Sequence, residues 1–122
     1  CRRNKIKLLT VGGAGGQIDP TRIRIEDLSK TVHDPLMSKV RKLLRSDYGF
    51  SSNPKRKFAV PCVYSDEPLI YPAADGEVCA QKPEAGTSGL NCAAGFGSMT
   101  PVTGSFGFFA ASYVLNRLAK TI

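Results

Sequence analysis

The chain has 122 residues, 17 Lys and Arg against 10 Asp and Glu, one His and four Cys. That length gives one domain with a modest core, and a single histidine removes most metal and triad constellations. The cysteines at 1, 62, 79 and 92 form no C-x-x-C pair, so a structural zinc site has no support in the spacing; with no stretch that reads as a secretion signal, they read as reduced cysteines, most of them packing residues. The charge is uneven, with 14 Lys and Arg against 5 Asp and Glu in residues 1–57 and 3 against 5 in residues 58–122. A basic half either meets an anionic partner, nucleic acid first, or is an ordinary solvated surface.

Cys1-Arg2-Arg3-Asn4-Lys5 has the basic residues and the Asn of a helix end. With no initiator Met, and a strand starting at once, the chain is expected to be cut on its N-terminal side from something longer. Ile6-Lys7-Leu8-Leu9-Thr10-Val11 reads as a buried strand. Gly12-Gly13-Ala14-Gly15-Gly16-Gln17-Ile18-Asp19-Pro20 follows, four glycines in five residues, which let the backbone take positive φ and approach a neighbour closely. On these residues alone it is a wide turn between strands or a ligand loop at a strand end. It is no phosphate fingerprint: G-x-G-x-x-G is matched only loosely, and a proline and a strand follow where a helix is needed. Thr21 to Leu28 alternates charged and apolar positions and reads as a half-buried strand, Ile23 and Ile25 towards the core, Arg22 and Arg24 towards solvent or a ligand.

Asp34-Pro35 opens a helix, with Asp34 as N-cap and Pro35 at the first helical position. Leu36, Val40, Leu43 and Leu44 are expected to form its buried face, Met37 to fill core, and Gly49 to end it. Lys39, Arg41, Lys42 and Arg45 take the other positions. The loop Ser51 to Lys57 carries Lys55, Arg56 and Lys57 in a row. These seven cations form one basic patch, a phosphate-binding candidate or a solvated surface. Phe58 to Ser65 reads as a strand that Pro61 demotes to an edge or bulge. Leu69-Ile70-Tyr71 is a short extended piece. Residues 72–97 are rich in Gly, Pro, Ala and Ser without a period, and are expected to be a flexible excursion, above all Pro72 to Gly89. Thr100 is expected to cap a last helix with Pro101 at its first position. Val102 to Leu118 is nearly all apolar or small, too short and too polar for a membrane span. It suits a helix central to a core or a dimer interface, with Gly104 and Gly107 letting another backbone come close.

The Gly12 to Pro20 run, Asp27-Leu28-Ser29-Lys30-Thr31, Asp34-Pro35-Leu36, Cys62-Val63-Tyr64-Ser65, Asn91 to Gly97 and Thr103-Gly104-Ser105-Phe106-Gly107-Phe108 together resemble the tRNA threonylcarbamoyladenosine dehydratases. These belong to the ubiquitin-activating-like superfamily, with the sulfur-carrier adenylyltransferases. The resemblance covers essentially the whole chain. It implies an α/β fold: residues 1–122 as the C-terminal half of one Rossmann-like, ThiF-type adenylating domain, a mixed sheet with flanking helices and a long apolar C-terminal helix.

The activity it implies is ATP- and Mg²⁺-dependent adenylation of the threonyl carboxylate of N6-threonylcarbamoyladenosine in tRNA, followed by ring closure that expels AMP. The family's nucleotide and magnesium ligands lie in an N-terminal half that these residues lack, so this segment alone is expected to be inactive, and no catalytic residue can be assigned. No zinc carries over, since the paired C-x-x-C motifs of relatives are missing. Gly12, Gly13, Gly15, Gly16 and Asp19 would border the active-site cleft, Asp19 alternatively serving only the turn before Pro20. The seven cations, Lys39, Arg41, Lys42, Arg45, Lys55, Arg56 and Lys57, would contact tRNA. Cys92, before the last helix, is either a buried cysteine or a reactive thiol facing a cysteine desulfurase or sulfur-acceptor system. The last helix would serve packing and homodimerisation in a cytoplasmic, membrane-free protein. Two other readings stay open: a non-catalytic tRNA-binding and dimerisation module, and a relative of the sulfur-carrier-protein adenylyltransferases.

Overall fold

A computed structural model describes residues 1–72, 77–80 and 97–120. Its centre is a three-stranded mixed sheet in the order β1-β3-β2, built from β1 (Thr10–Val11), β2 (Ile23–Asp27) and β3 (Pro61–Ser65). β1 runs parallel to β3, with Thr10 opposite Cys62; β2 runs antiparallel to it, with Ile25 opposite Val63. Successive side chains of a strand point to opposite faces. Cys62 and Tyr64 therefore join Leu28, Met37, Phe58 and Val60 on one side, while Val63 joins Ala14, Ile23, Val102 and Phe106 on the other. Two separate cores, one on each face, make this an α/β layered arrangement.

The first core is closed by α1 (Pro35–Tyr48). Asp34 caps it, its Oδ1 accepting the Met37 N–H at 3.0 Å, and Gly49 ends it at φ 69°. Both ends follow the local sequence signals. The buried stripe follows the expectation in part: Met37 is buried and Val40 and Leu44 pack beside it as expected, whereas Leu36 and Leu43 are exposed. Met37, Val40 and Leu44 lie at i, i+3 and i+7, one helical face. Phe50 meets Phe58 edge-on at 4.9 Å beneath α1.

The second core is closed by α2 (Thr100–Leu118), which packs on β2 and β3 through Val102 and Phe106. Met99, not Thr100, is its N-cap, and no side chain caps it. Burial within this segment reaches only the first turns. Phe108, Leu115 and Leu118 are 79%, 64% and 74% exposed, and among the described residues nothing lies within 4 Å of where a Cβ on Gly104 or Gly107 would stand. Among the described residues, no helix is long and apolar enough to cross a membrane.

Four further expectations change. Residues 2–5 form hydrogen-bonded turns, with Lys5 rather than Asn4 at positive φ. Only Thr10–Val11 of the first apolar run pairs as strand, and Ile6 and Leu8 are exposed. The alternating stretch is strand only from Ile23 to Asp27, with single 3₁₀ turns at Pro20–Arg22 and Leu28–Lys30. Pro61 begins the central strand instead of marking an edge; as the first residue it needs no ladder N–H. Ile23 is buried and Ile25 packs against the same core, as their alternation predicts. β4 (Tyr71–Pro72), which begins in the expected extended piece, pairs antiparallel with β5 (Val78–Cys79); most of the expected excursion from Pro72 to Gly97 lies outside the described residues.

Asp27, the last residue of β2, ties that strand to the segment leading into β3, at one end of the sheet. Its carboxylate accepts N–H groups from Ser29 at 3.0 Å, Phe58 at 2.8 Å and Val60 at 3.1 Å, and the Ser29 hydroxyl at 2.6 Å. Burial pushes the carboxyl up, but these hydrogen bonds outweigh it and hold it below the ordinary value of 3.8. With the folded pKa below the unfolded one, the stabilisation is complete above the unfolded pKa and is lost as pH falls through the folded one. Asp27→Ala is expected to cost about 2–4 kcal/mol at pH 7, from backbone donors left unpaired at roughly 1–3 kcal/mol each. Urea unfolding would read this loss, and the gap to wild type should shrink below pH 3.8.

Candidate functional site

The glycine-rich run leaves β1 and crosses the C-terminal end of β3, the end at which open α/β sheets hold ligands. Its near limb is held from α1. Asp34 is 4% exposed, and its Oδ2 accepts the Gly13 N–H at 3.0 Å while Oδ1 caps the helix. Burial pushes the Asp34 carboxyl up, against the opposing pull of the Met37 and Gly13 amides. Gly12 donates its N–H to the Val63 carbonyl at 2.8 Å. A Cβ there would fall 2.1 Å from Asp34 Oδ2, so any side chain at 12 forces this carboxylate to move.

The far limb is held from the tip of β3. Glu67, buried just beyond the strand, accepts the Ile18 N–H at 3.0 Å and the Asp19 N–H at 2.9 Å. Gln17, 1% exposed, donates its Nε2 to the carbonyls of Ser65 and Glu67, both at 3.3 Å; its Oε1 has no partner among the described residues. Gly16 sits between the limbs at φ 72°, its carbonyl accepting Ile70 N–H and its own N–H donating to Gly97, both at 2.9 Å. Gly15 is half-buried. Asp19 caps the following 3₁₀ turn through Thr21, whose hydroxyl hydrogen bond leads in lowering its pKa.

The structure thus brings together the five predicted loop residues and adds Asp34, Glu67 and Gln17. The sequence offered Asp34 only as a helix cap. It offered no signal for Glu67, whose partners are backbone amides remote in sequence. Next to Glu67, Asp66 binds Arg22 at 2.6 Å and Arg24 at 3.5 Å, so neither arginine is a free cation. The Arg22 hydrogen bond leads in holding the Asp66 carboxyl below its ordinary value.

The seven predicted cations divide. Lys39, Lys42, Lys55, Arg56 and Lys57 are exposed. Arg41 is half-buried and donates to the Thr31 hydroxyl; Arg45 donates to the Ser51 carbonyl at 3.2 Å and stacks 5.2 Å above the Phe58 ring. Arg41, Lys42 and Arg45 border one concavity of about 450 Å³ with Ser38, Ser46 and Ser52. Lys55 to Lys57 lie further along the same loop, tethered where Lys30 Nζ donates to the Pro54 carbonyl at 2.5 Å. Buried Cys62 is a packing thiol, its pKa raised by burial. Cys92 lies outside the described residues.

No family model matches the chain. The tRNA threonylcarbamoyladenosine dehydratase of Haemophilus influenzae (strain ATCC 51907 / DSM 11121 / KW20 / Rd) is 54% identical over 120 residues, 98% of this chain. That of Escherichia coli (strain K12) is 55% identical over 119 residues, 97% of this chain. The chain belongs to the tRNA threonylcarbamoyladenosine dehydratase family. It spans 44% of the length of each of these two relatives. A solved structure of TcdA (CsdL) superposes with a TM-score of 0.81 at 52% identity, over 99% of this chain and 44% of that one. The E. coli dehydratase in complex with ATP superposes with a TM-score of 0.74 at 47% identity, over 99% of this chain and 41% of that one.

Two glycines of this dehydratase-family loop should respond differently to a methyl group. A Cβ on Gly16 would meet the Ile70 carbonyl oxygen at 2.8 Å and hold a left-handed backbone, whereas one on Gly13 meets nothing closer than 3.8 Å. Gly16→Ala is expected to cost about 1–3 kcal/mol, and Gly13→Ala less than about 1 kcal/mol, since it also restricts the unfolded chain. Chemical denaturation of the two variants side by side checks the order.

Proposed function

We propose that this chain is the C-terminal half of an ATP-dependent dehydratase that adenylates and cyclises N6-threonylcarbamoyladenosine in tRNA, and that it forms part of one Rossmann-like, ThiF-type adenylating domain. The observation that carries the reading is the match of 97–98% of the chain, at 54–55% identity, to dehydratases of that name. The chemistry is activation of a poor electrophile. The threonyl carboxylate attacks ATP and becomes an acyl adenylate, with loss of pyrophosphate. Ring closure then breaks the acyl–phosphate bond, and AMP leaves with the carboxylate oxygen, so the nucleoside loses one water in total.

In this reading Gly12, Gly13, Gly15, Gly16 and Asp19 form one wall of the cleft. The wall contributes shape, because the Asp34 and Glu67 carboxylates are already taken up by backbone amides and Asp19 serves its turn. The same commitment makes these carboxylates poor magnesium ligands. Among the described residues, no group of three His, Cys, Asp or Glu is suited to a metal. In this reading ATP and Mg²⁺ are held mainly by the part of the protein outside this segment, and no step is routed through the ion here. The five exposed cations, with the concavity between Arg41, Lys42 and Arg45, offer the tRNA backbone a phosphate-binding face. The exposed apolar side of α2 suits packing beyond this segment, homodimerisation included. A cytoplasmic location follows from a tRNA substrate, and a sulfur-acceptor contact at Cys92 would be separate from the dehydration, which needs no thiol.

The full-length protein, given ATP and tRNA bearing the linear modification, is expected to release AMP and to lower the nucleoside mass by one water. Binding of that tRNA without any mass change would favour a non-catalytic module instead. Neutralising Lys39, Lys42, Lys55, Arg56 and Lys57 together should weaken tRNA binding. It should also flatten the plot of log Kd against log salt by a slope of about one per lost phosphate contact. An unchanged slope in a filter-binding titration would remove these residues from the interface.

A further inference from the structure

Resting on that reading, we infer that Asp34 is a positioning residue that couples the RNA-facing helix α1 to the glycine loop at the cleft. One carboxylate serves both elements: Oδ1 takes the Met37 N–H in the first turn of α1, and Oδ2 takes the Gly13 N–H, each at 3.0 Å. The pairing is built in, because the absent side chain of Gly12 leaves the space that Oδ2 fills. Asp34 also faces the attractive charge of Arg41 further along the helix. Arg41 borders two cavities: about 430 Å³ on the Asp34 side, with His33, Leu69 and Tyr71, and the basic concavity shared with Lys42 and Arg45. A phosphate drawn to the basic concavity therefore bears on the same helix turns whose N-terminus holds the loop. A shift of α1 moves Asp34, and with it Gly13.

Two substitutions in the full-length protein separate this role from helix capping. Serine caps helices about as well as aspartate, but its single short oxygen cannot serve both Met37 and Gly13. Asp34→Ser should keep the melting temperature within a few degrees while the Gly12–Gln17 peptide exchanges its amide hydrogens faster. Its kcat for cyclisation should fall about 10- to 100-fold, the scale of an ångström-sized misplacement, with KM for ATP and tRNA within about twofold of wild type. Gly12→Ala, which drives the carboxylate off the loop and leaves the helix sequence intact, should reproduce both effects. Wild-type exchange in the Asp34→Ser loop overturns the inference, and this arm reads out even where the wild-type protein makes no cyclic product, a result that would instead sink the dehydratase reading. A kcat loss that only tracks a lower melting temperature also overturns it, as does a rise in the tRNA KM with kcat unchanged.

Discussion

β3 is the strand on which the two cores and the glycine loop meet. Its five residues are covered on both faces, Cys62 and Tyr64 by the α1 side and Val63 by the α2 side. Its edges are covered by β1 and β2. Because β1 is parallel to it, their carboxyl ends emerge together. One end becomes the glycine loop and the other becomes Ser65-Asp66-Glu67, which ties that loop and the arginines after it. A strand buried in this way cannot slip register by one residue without moving every side chain out of the core it fits and into the other. The loop inherits that rigidity although it has no regular structure of its own.

Charge is sorted between the two regions. The acidic groups near the loop, Asp19, Asp34, Asp66 and Glu67, are taken up by backbone amides or by Arg22 and Arg24. The cations of α1 and of residues 55–57 form no ion pairs among the described residues, and five of them are exposed. Neutralising one set internally leaves the field of the other uncompensated at the surface, which is what attracts a polyanion over a distance. Arg41 and Arg45 belong to both worlds: each hydrogen-bonds its own fold and still borders the basic concavity.

Local signals in the chain were the readable ones. Asp34-Pro35 and Gly49 mark α1 because caps act through residues adjacent in sequence. Ile23 and Ile25 show their face by simple alternation. What failed needed the third dimension. Of the apolar positions on α1, Met37, Val40 and Leu44 meet the core as expected, but Leu36 and Leu43 do not, since helical spacing alone does not say how wide a face the core covers. Pro61 spoke for an edge, yet its place at the start of β3 cancels the objection. Glu67 is invisible in sequence, since a carboxylate that binds main-chain N–H groups imposes no residue type on its partners. The glycine run was legible as a site only through its family likeness, and its spacing alone allowed an ordinary turn.

The close fit of Gly12 against Asp34 has a consequence for how such sequences can drift. The two positions are sterically joined, so neither evolves alone. A methyl at 12 is admitted only where the residue at 34 withdraws or lacks its outward oxygen, and either way the tether to Gly13 is surrendered. The first step in either order is disfavoured, which makes the pair a trap that neutral change does not easily leave.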